Sequence, residues 1–176
     1  MDDLATYLFD LIQNSIAASA NNIVLTLQES HVLEIILKDD GIGMTEETLL
    51  KAVSPFYTTR KTRKVGLGLP LFKMMCEQTE GTFIIESTLH HGTCITAKLK
   101  IDHPDMPPLG NLGEMIYLIS INQGIKHFIF TYEKNKLQYI FDYDIMNDLL
   151  SGTWHDYNVM TSVIEYINNE INRVRE

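Results

Sequence analysis

The sequence predicts an α/β sandwich of the α+β class, a mixed and mostly antiparallel sheet with helices on one face, plus a small α+β C-terminal region. In residues 1–101, pairs of strand-like segments joined by short polar turns alternate with amphipathic helices. Hydrophobic content is 45% and charged content 21%, which is ordinary for a globular chain of 176 residues. Three prolines in residues 102–110 then separate a shorter helix–strand–strand–helix tail.

The predicted elements follow the hydrophobic periodicity of the chain. A first helix begins after Asp2 or Asp3 and repeats apolar side chains at helical spacing. A later helix has Pro70 in its first turn and Gly81 as its terminator. The remaining predicted strands are 22–29, 31–39, 82–87, 93–101, 126–133 and 136–143, and the remaining helices are 45–53, 111–122, 145–150 and 157–173. These elements predict a domain at 1–101, a linker at 102–110 and a small region of unknown role at 111–176.

Composition limits the location and the partners of the protein. The formal net charge of -9 argues against nucleic acid as a general partner. No apolar run approaches the length of a membrane span, and the acidic start Met1-Asp2-Asp3 differs from a basic secretory signal. Cys76 and Cys94 form no metal-type pair and are interpreted as reduced core residues. A cytoplasmic protein with no membrane partner is therefore expected.

A carboxylate and two glycines follow the second predicted strand. Asp39 ends this strand, and Gly41 and Gly43 come directly after it. Glycine lets another molecule approach the backbone closely, and a carboxylate in such a cavity needs a hydrogen-bond donor. The amino group of an adenine is one such donor. An ordinary Asp–Gly turn is the alternative reading of the same residues.

Two further segments have the chemistry of a magnesium–nucleotide site. Asp10 and Asn14 are four residues apart and lie one turn above the other on the first helix. Magnesium takes oxygen ligands, mostly from phosphates and water, so one amide oxygen suits it, although a solvated helix surface explains both residues too. Phosphates bind backbone N–H groups and cations, which Gly66-Leu67-Gly68-Leu69 and a basic run supply. The basic run contains Arg60, Lys61, Arg63 and Lys64. A solvated loop at 56–65 is the alternative for this run.

Five segments in chain order resemble the motifs of one ATPase superfamily. They are Asp10-Leu11-Ile12-Gln13-Asn14-Ser15, Asp39-Asp40-Gly41-Ile42-Gly43, Pro55-Phe56-Tyr57-Thr58-Thr59-Arg60, Val65-Gly66-Leu67-Gly68-Leu69 and His91-Gly92-Thr93. In that order they resemble the asparagine box, the first glycine box, the segment before the ATP lid, and the second and third glycine boxes of the Bergerat-fold (GHKL) ATPases. Histidine-kinase-like and anti-sigma-factor-kinase-like ATP-binding domains are the most similar branch.

The resemblance implies a Bergerat ATP-binding domain with ATP and Mg²⁺ as cofactors. It implies that Asn14 is the magnesium ligand, Asp39 the adenine-binding acid and Asp10 the catalytic carboxylate. Thr93 would support the adenine contact, although a plain strand hydroxyl is the alternative. The implied nucleotide-binding residues are Asn14, Asp39, Gly41, Gly43, Arg60, Lys61, Lys64, Gly66, Leu67, Gly68, Leu69 and Thr93.

Departures from the family pattern leave two classes of function open. Asp10 replaces the usual glutamate and is about 1.5 Å shorter, which could misplace an attacking water. Lys64 replaces the first glycine of the second box, and none of the six histidines lies in a phosphoacceptor helix pair. The chain is thus expected to lack a phosphoacceptor domain. It either phosphorylates or regulates a partner protein, or acts as a nucleotide-gated switch with little turnover. A homodimer is also left open.

Overall fold

The computed structural model describes residues 3–54, 68–150 and 152–176. Within these ranges the predicted elements are confirmed, with ends that differ by one or two residues. The helices are α1 (Leu4–Ala17), α2 (Glu46–Ala52), α3 (Gly68–Gln78), α4 (Leu112–Ser120), α5 (Tyr143–Leu150) and α6 (Tyr157–Arg175). The strands are β1 (Asn22–Glu29), β2 (Val32–Asp39), β3 (Thr82–Thr88), β4 (Gly92–Lys100), β5 (His127–Lys134) and β6 (Leu137–Asp142). Each described helix is too short or too polar to cross a membrane. The predicted loop at 56–65 lies outside the described residues.

The six strands form one sheet in the order β3-β4-β2-β1-β5-β6. β1 pairs with β2, β2 with β4, β3 with β4 and β5 with β6, all antiparallel, whereas β5 runs parallel to β1. The predicted mixed, mostly antiparallel sheet is therefore confirmed. Because β5 and β6 extend this sheet, it continues across the linker predicted at 102–110. The division of the chain into two domains at that linker stays a prediction.

Among the described helices, α1, α3, α4 and α6 contribute buried side chains to the core on one face of the sheet. Along each strand, buried residues alternate with residues that are less buried, and the strand register aligns the buried ones across the sheet. On β1 the buried side chains are those of Ile23, Leu25 and Leu27. Ring contacts between α3 and β3 (Phe72 with Phe83) and between α6 and β6 (Tyr166 with Tyr139) use this same face. This layering places the side chains of α1 directly over the inner face of the sheet.

The segment at 102–110 crosses the start of α1. The backbone N–H groups of Leu4 and Ala5 donate to the carbonyls of Pro108 and Leu109 at 2.9 and 3.0 Å. The first N–H groups of a helix have no partner within the helix, so this segment satisfies two of them. The side chain of Asp3 caps the helix by accepting from the N–H of Thr6 at 2.8 Å. The segment predicted as a linker is thus hydrogen-bonded to the first turn of α1.

The end of α3 differs in detail from the prediction that Gly81 terminates it. The helix ends before Gly81, but the residue with left-handed backbone is Glu80, whose φ is 51°. The N–H of Gly81 donates to the carbonyl of Cys76 at 2.9 Å. A Cβ on Gly81 would lie 1.8 Å from the carbonyl oxygen of Lys98. Gly81 is therefore required by the close approach of β4.

A charged cluster fastens α6 to the sheet at the hairpin end of β1. The Glu29 carboxylate accepts from the Tyr132 hydroxyl and from Nε of Arg175 at 3.1 Å, and Nζ of Lys134 lies 3.2 Å from it. Partial burial by itself would raise the pKa of Glu29. Hydrogen bonds from Tyr132, Arg175 and Lys134, with the charge of Arg175, outweigh burial and lower that pKa below its ordinary value. The cluster joins the last residues of the chain to the first hairpin.

Candidate functional site

Three polar side chains stand in one row at the end of the sheet opposite that cluster. Strand register places Thr93 beside Asp39 and Ser87 beside Thr93, all on the face that the helices cover. The Ser87 hydroxyl donates to the Gly92 carbonyl and accepts from the N–H of Met44, both at 2.9 Å. Since its only proton is used, the Thr93 hydroxyl is the donor in the 2.9 Å contact between them. The lone pairs of Thr93 Oγ1 are therefore left to accept a ligand donor or water.

The Asp39 carboxylate is held by two neutral donors. The hydroxyl of Ser15, a buried residue of α1, donates to Oδ2 at 2.6 Å. The backbone N–H of Gly41 donates to Oδ1 at 3.0 Å. No ion pair to Asp39 is found in the described residues. A carboxylate has about four lone-pair sites, so Asp39 is fixed in direction and can still accept hydrogen bonds from a ligand.

The adjacent acid, Asp40, has a different role. Its Oδ1 accepts from the backbone N–H groups of Asn21 and Asn22 at 2.7 and 2.8 Å, and its Oδ2 accepts from the Asn22 side chain at 2.6 Å. The backbone and side-chain hydrogen bonds from Asn22 hold the pKa of Asp40 below its ordinary value. Asp40 therefore fixes the chain where β1 begins, and it points away from the Asp39 row.

The two glycines after β2 are needed because the protein's own backbone packs against them. Gly43 has a φ of 63°, and a Cβ there would lie 2.0 Å from the carbonyl oxygen of Thr88. A Cβ on Gly41 would lie 2.9 Å from both the Cβ and the carbonyl oxygen of Ala18. Between them, Ile42 donates its N–H to the Ala18 carbonyl at 2.9 Å, and its side chain is 57% exposed. The glycines thus set the path of the loop beside Asp39.

The α1 side of the site contains Asp10 and Asn14. Asn14 is exposed and Asp10 half-buried, one helical turn apart. Asp10 faces the start of α3, since a Cβ on Gly68 would lie 3.3 Å from Asp10 Oδ2. Leu69, also predicted to bind nucleotide, is half-buried and packs against the hydrophobic core. The predicted residues Arg60, Lys61, Lys64, Gly66 and Leu67 lie outside the described residues.

Ser15 and Gly92 lie in two of the five motifs but were not predicted to have a role in the site, and Ser87 was overlooked. Gly92 has a φ of 88°, and a Cβ there would lie 1.9 Å from the carbonyl oxygen of Asp39. Ser15 follows Leu11 and Ile12 at the spacing of the buried stripe of α1, so a hydroxyl in an apolar stripe was a usable signal. Ser87 gave no comparable signal, because a serine near the end of a strand is common.

Comparison with known families agrees with this geometry. The profile of the histidine kinase-, DNA gyrase B- and HSP90-like ATPases matches residues 1–103, which is more than half of the chain. The chain belongs to this family. The match covers α1 to β4, and with them every described residue of the site. The similarity to histidine-kinase-like ATP-binding domains predicted from the five motifs is confirmed.

Two sporulation kinases of Bacillus subtilis (strain 168) are among the curated proteins whose sequences are similar to this chain. Sporulation kinase E is 37% identical over 105 residues, which cover 57% of this chain and 14% of that protein. Sporulation kinase B is 32% identical over 99 residues, which cover 54% of this chain and 23% of that protein. The chain therefore spans less than a quarter of either relative.

A solved structure extends the likeness in fold beyond the family match. The N-terminal domain of a DNA repair protein superposes with a TM-score of 0.56 at 17% identity, over 80% of this chain and 52% of that one. Since the family profile ends at residue 103, this superposition includes part of the C-terminal region. The α/β sandwich with its mostly antiparallel sheet is thereby confirmed as a known fold.

Proposed function

We propose that this chain binds Mg-ATP between α1, the loop after β2 and the start of β4, and that it phosphorylates or regulates a partner protein. The observation that carries the proposal is the Asp39 carboxylate, which is oriented by Ser15 and Gly41 and retains acceptor capacity. Membership of the ATPase family supports the same assignment. Asp39 would accept a hydrogen bond from the exocyclic amino group of adenine.

The same chemistry predicts selection of the base. Guanine has a carbonyl oxygen where adenine has its amino group, and a carboxylate repels an oxygen at that position. Thr93 Oγ1 supports adenine by accepting from a bridging water or from the base. We therefore expect a clear preference for ATP and ADP over GTP.

The residues present fit a magnesium ion that takes few ligands from protein. The described residues contain no group of three or more His, Cys, Asp or Glu side chains able to hold a metal. Magnesium in nucleotide sites instead binds phosphate oxygens and water, with one or two protein oxygens. The Asn14 amide on the exposed side of α1 would supply one of them. Bound Mg²⁺ neutralises charge on the phosphates during transfer.

Calorimetry on two adjacent carboxylates tests the binding site. Asp39→Asn should weaken ATP binding by on the order of 1.5–3 kcal/mol, tenfold or more, because an amide is a poorer acceptor for the adenine amino group. Asp40→Asn is the matched control, since Asp40 binds only Asn21 and Asn22 in the described structure. Its ATP affinity should stay within about twofold of the wild type. Unchanged affinity in Asp39→Asn would remove Asp39 from the site.

A nucleotide-gated switch is the second candidate, and the side chain of Asp10 favours it. Water activation requires a carboxylate within hydrogen-bond reach of the water, and aspartate is about 1.5 Å shorter than the glutamate usual in the family. The start of α3 lies close to this carboxylate, since a Cβ added to Gly68 would be 3.3 Å from Asp10 Oδ2. Slow hydrolysis by the isolated protein is the expected result. A docked partner can position its own hydroxyl or imidazole, so transfer to a partner is less constrained.

Phosphate transfer distinguishes the kinase from the switch. With γ-labelled ATP, the kinase proposal predicts label on a protein that co-purifies from the native cell, and Asn14→Ala should abolish it. The switch predicts that no native partner becomes labelled, and that Asp10→Glu raises hydrolysis many-fold. We also propose a cytoplasmic location, which the two free cysteines support.

A further inference from the structure

The two edges of the sheet differ in charge and in protection. β6 forms one edge, and among the described strands it pairs with β5 alone. Leu137–Phe141 contains no charged residue and no proline, the features with which natural proteins commonly protect an edge strand. The side chains of Leu137 and Ile140 are 56% and 51% exposed. The outer backbone groups of β6 are thus available to a further strand.

The surface beside this edge is acidic. Residues 137–172 contain no lysine or arginine. Six carboxylates lie in the same stretch: Asp142, Asp144, Asp148, Asp156, Glu165 and Glu170. The first cation after it is Arg173, whose guanidinium is 2.8 Å from Glu170. Lys136, directly before β6, and Arg173 together do not balance the six carboxylates, so the segment around this edge carries a net negative charge.

An aromatic side chain lies on the helix side of the same edge. Tyr166 of α6 is 51% exposed, and its ring contacts Tyr139 of β6 with 6.3 Å between centroids. Glu170 is one helical turn further along α6, on the side of Tyr166. A strand added to β6 would therefore place alternate side chains beside Tyr166 and Glu170, and the others beside Ile140 on the open face.

The opposite edge of the sheet, β3, differs from β6 in the charge around it. Its exposed Ile84 resembles Ile140 in exposure, at 55%. Charges of both signs surround it and are already paired, Lys98 with Glu34 at 3.3 Å and Lys100 with Glu80. β3 therefore provides a matched control surface within the same sheet.

We propose that the open edge of β6 is a docking site for an extended, lysine- and arginine-bearing segment of a partner protein, which adds to the sheet as a seventh strand. Main-chain hydrogen bonds supply affinity in such strand addition, and side chains supply selectivity. The net negative charge argues against a second copy of this chain as the occupant, since two acidic edges would face each other. The site is separate from the nucleotide site and goes beyond the proposed ATP-binding function.

A synthetic peptide that alternates lysine with valine tests the proposal with the full chain. Fluorescence anisotropy should show this peptide binding at least about tenfold more tightly than its glutamate–valine counterpart, with affinity that falls as salt rises. A version of the lysine–valine peptide that is N-methylated on alternate residues should bind about tenfold more weakly, because it cannot form the backbone hydrogen bonds of a paired strand. Amide hydrogen exchange should slow in residues 137–142 when the peptide is bound.

Variants locate the site. Ile140→Lys and, independently, Leu137→Lys should each lower the affinity for the lysine–valine peptide by about tenfold. Each puts a cation at an exposed position of β6, where it repels the lysines of the peptide. Ile84→Lys, the control on β3, should leave peptide affinity within about twofold. ATP affinity should be unchanged in all three, which keeps this test independent of the nucleotide site.

Four outcomes would overturn the proposal. They are no binding of the lysine–valine peptide, equal binding of the two charge forms, protection of β3 in place of β6, and a dimer in sedimentation that Ile140→Lys dissociates. The last result would make a second copy the occupant.

Discussion

Two carboxylates lie at opposite ends of the hairpin formed by β1 and β2, and their partners differ. Asp39, at the open end, accepts from the Ser15 hydroxyl and the Gly41 N–H, both neutral. Glu29, at the turn end, accepts from Tyr132 and is paired with Lys134 and Arg175. Neutral donors fix a carboxylate without cancelling its charge, whereas two cations compensate it. The same chemical group thus keeps an uncompensated charge at the proposed ligand site and anchors the chain at the other end.

The largest expected effect is on the loop at the Asp39 end. Gly43→Ala should cost about 3 kcal/mol or more of unfolding free energy, because its Cβ would overlap the Thr88 carbonyl and its φ is positive. Gly152→Ala is the control, because Gly152 has a φ of 83° but no atom near its Cβ position. That variant should lose only about 1–2 kcal/mol. Urea unfolding of both variants measures the two losses of unfolding free energy. Equal losses would show that the close packing around Gly43 is unimportant.

An intermediate effect is expected at the Glu29 end. Glu29→Gln should cost about 1–2 kcal/mol of unfolding free energy, since it removes the charge that binds Lys134 and Arg175. ATP affinity should not change, because the cluster is at the far end of the hairpin. A loss of ATP affinity in this variant would break the separation between ligand site and anchor.

The lowered pKa of Glu29 determines how the stability of the protein should depend on pH. The contribution of its charge to stability is complete above the unfolded-state pKa, about 4.3, and is lost as pH falls through the lower folded-state value. Acidification from neutral pH to about pH 3 should therefore reduce the stability of the wild type more than that of Glu29→Gln. Parallel urea midpoints for the two proteins across this range would contradict the assignment.

The smallest expected effect is on the donor to Asp39. Ser15→Ala should weaken ATP binding by about 0.5–1.5 kcal/mol, roughly two- to tenfold, because Asp39 loses one of the two groups that orient it. Ser120→Ala is the matched control. Ser120 is equally buried, but it lies on α4 and donates to the Ile116 carbonyl at 2.8 Å. Equal ATP affinities in the two variants would mean that Ser15 does not orient Asp39.

Local patterns were sufficient to predict most of the elements and the centre of the site. Asp39 at a strand end, followed by Gly41 and Gly43, is a feature of a few consecutive residues. The helical spacing of Asp10 and Asn14 and the capping of α1 by Asp3 are equally local. The sequence alone therefore determined which segments are helices and strands, and it placed Asp39 at the end of β2. That a nucleotide binds there stays a proposal.

Only the tertiary structure decided how these segments meet. The parallel pairing of β5 with β1 joins residues about one hundred positions apart, and no local pattern specifies such a neighbour. The Glu29 cluster likewise requires α6 to return to the hairpin, and the hydrogen bond of Ser15 to Asp39 requires α1 to cross the sheet end. Periodicity reports which face of an element is buried, but the partner on that face is chosen by packing of the whole sheet and its helices.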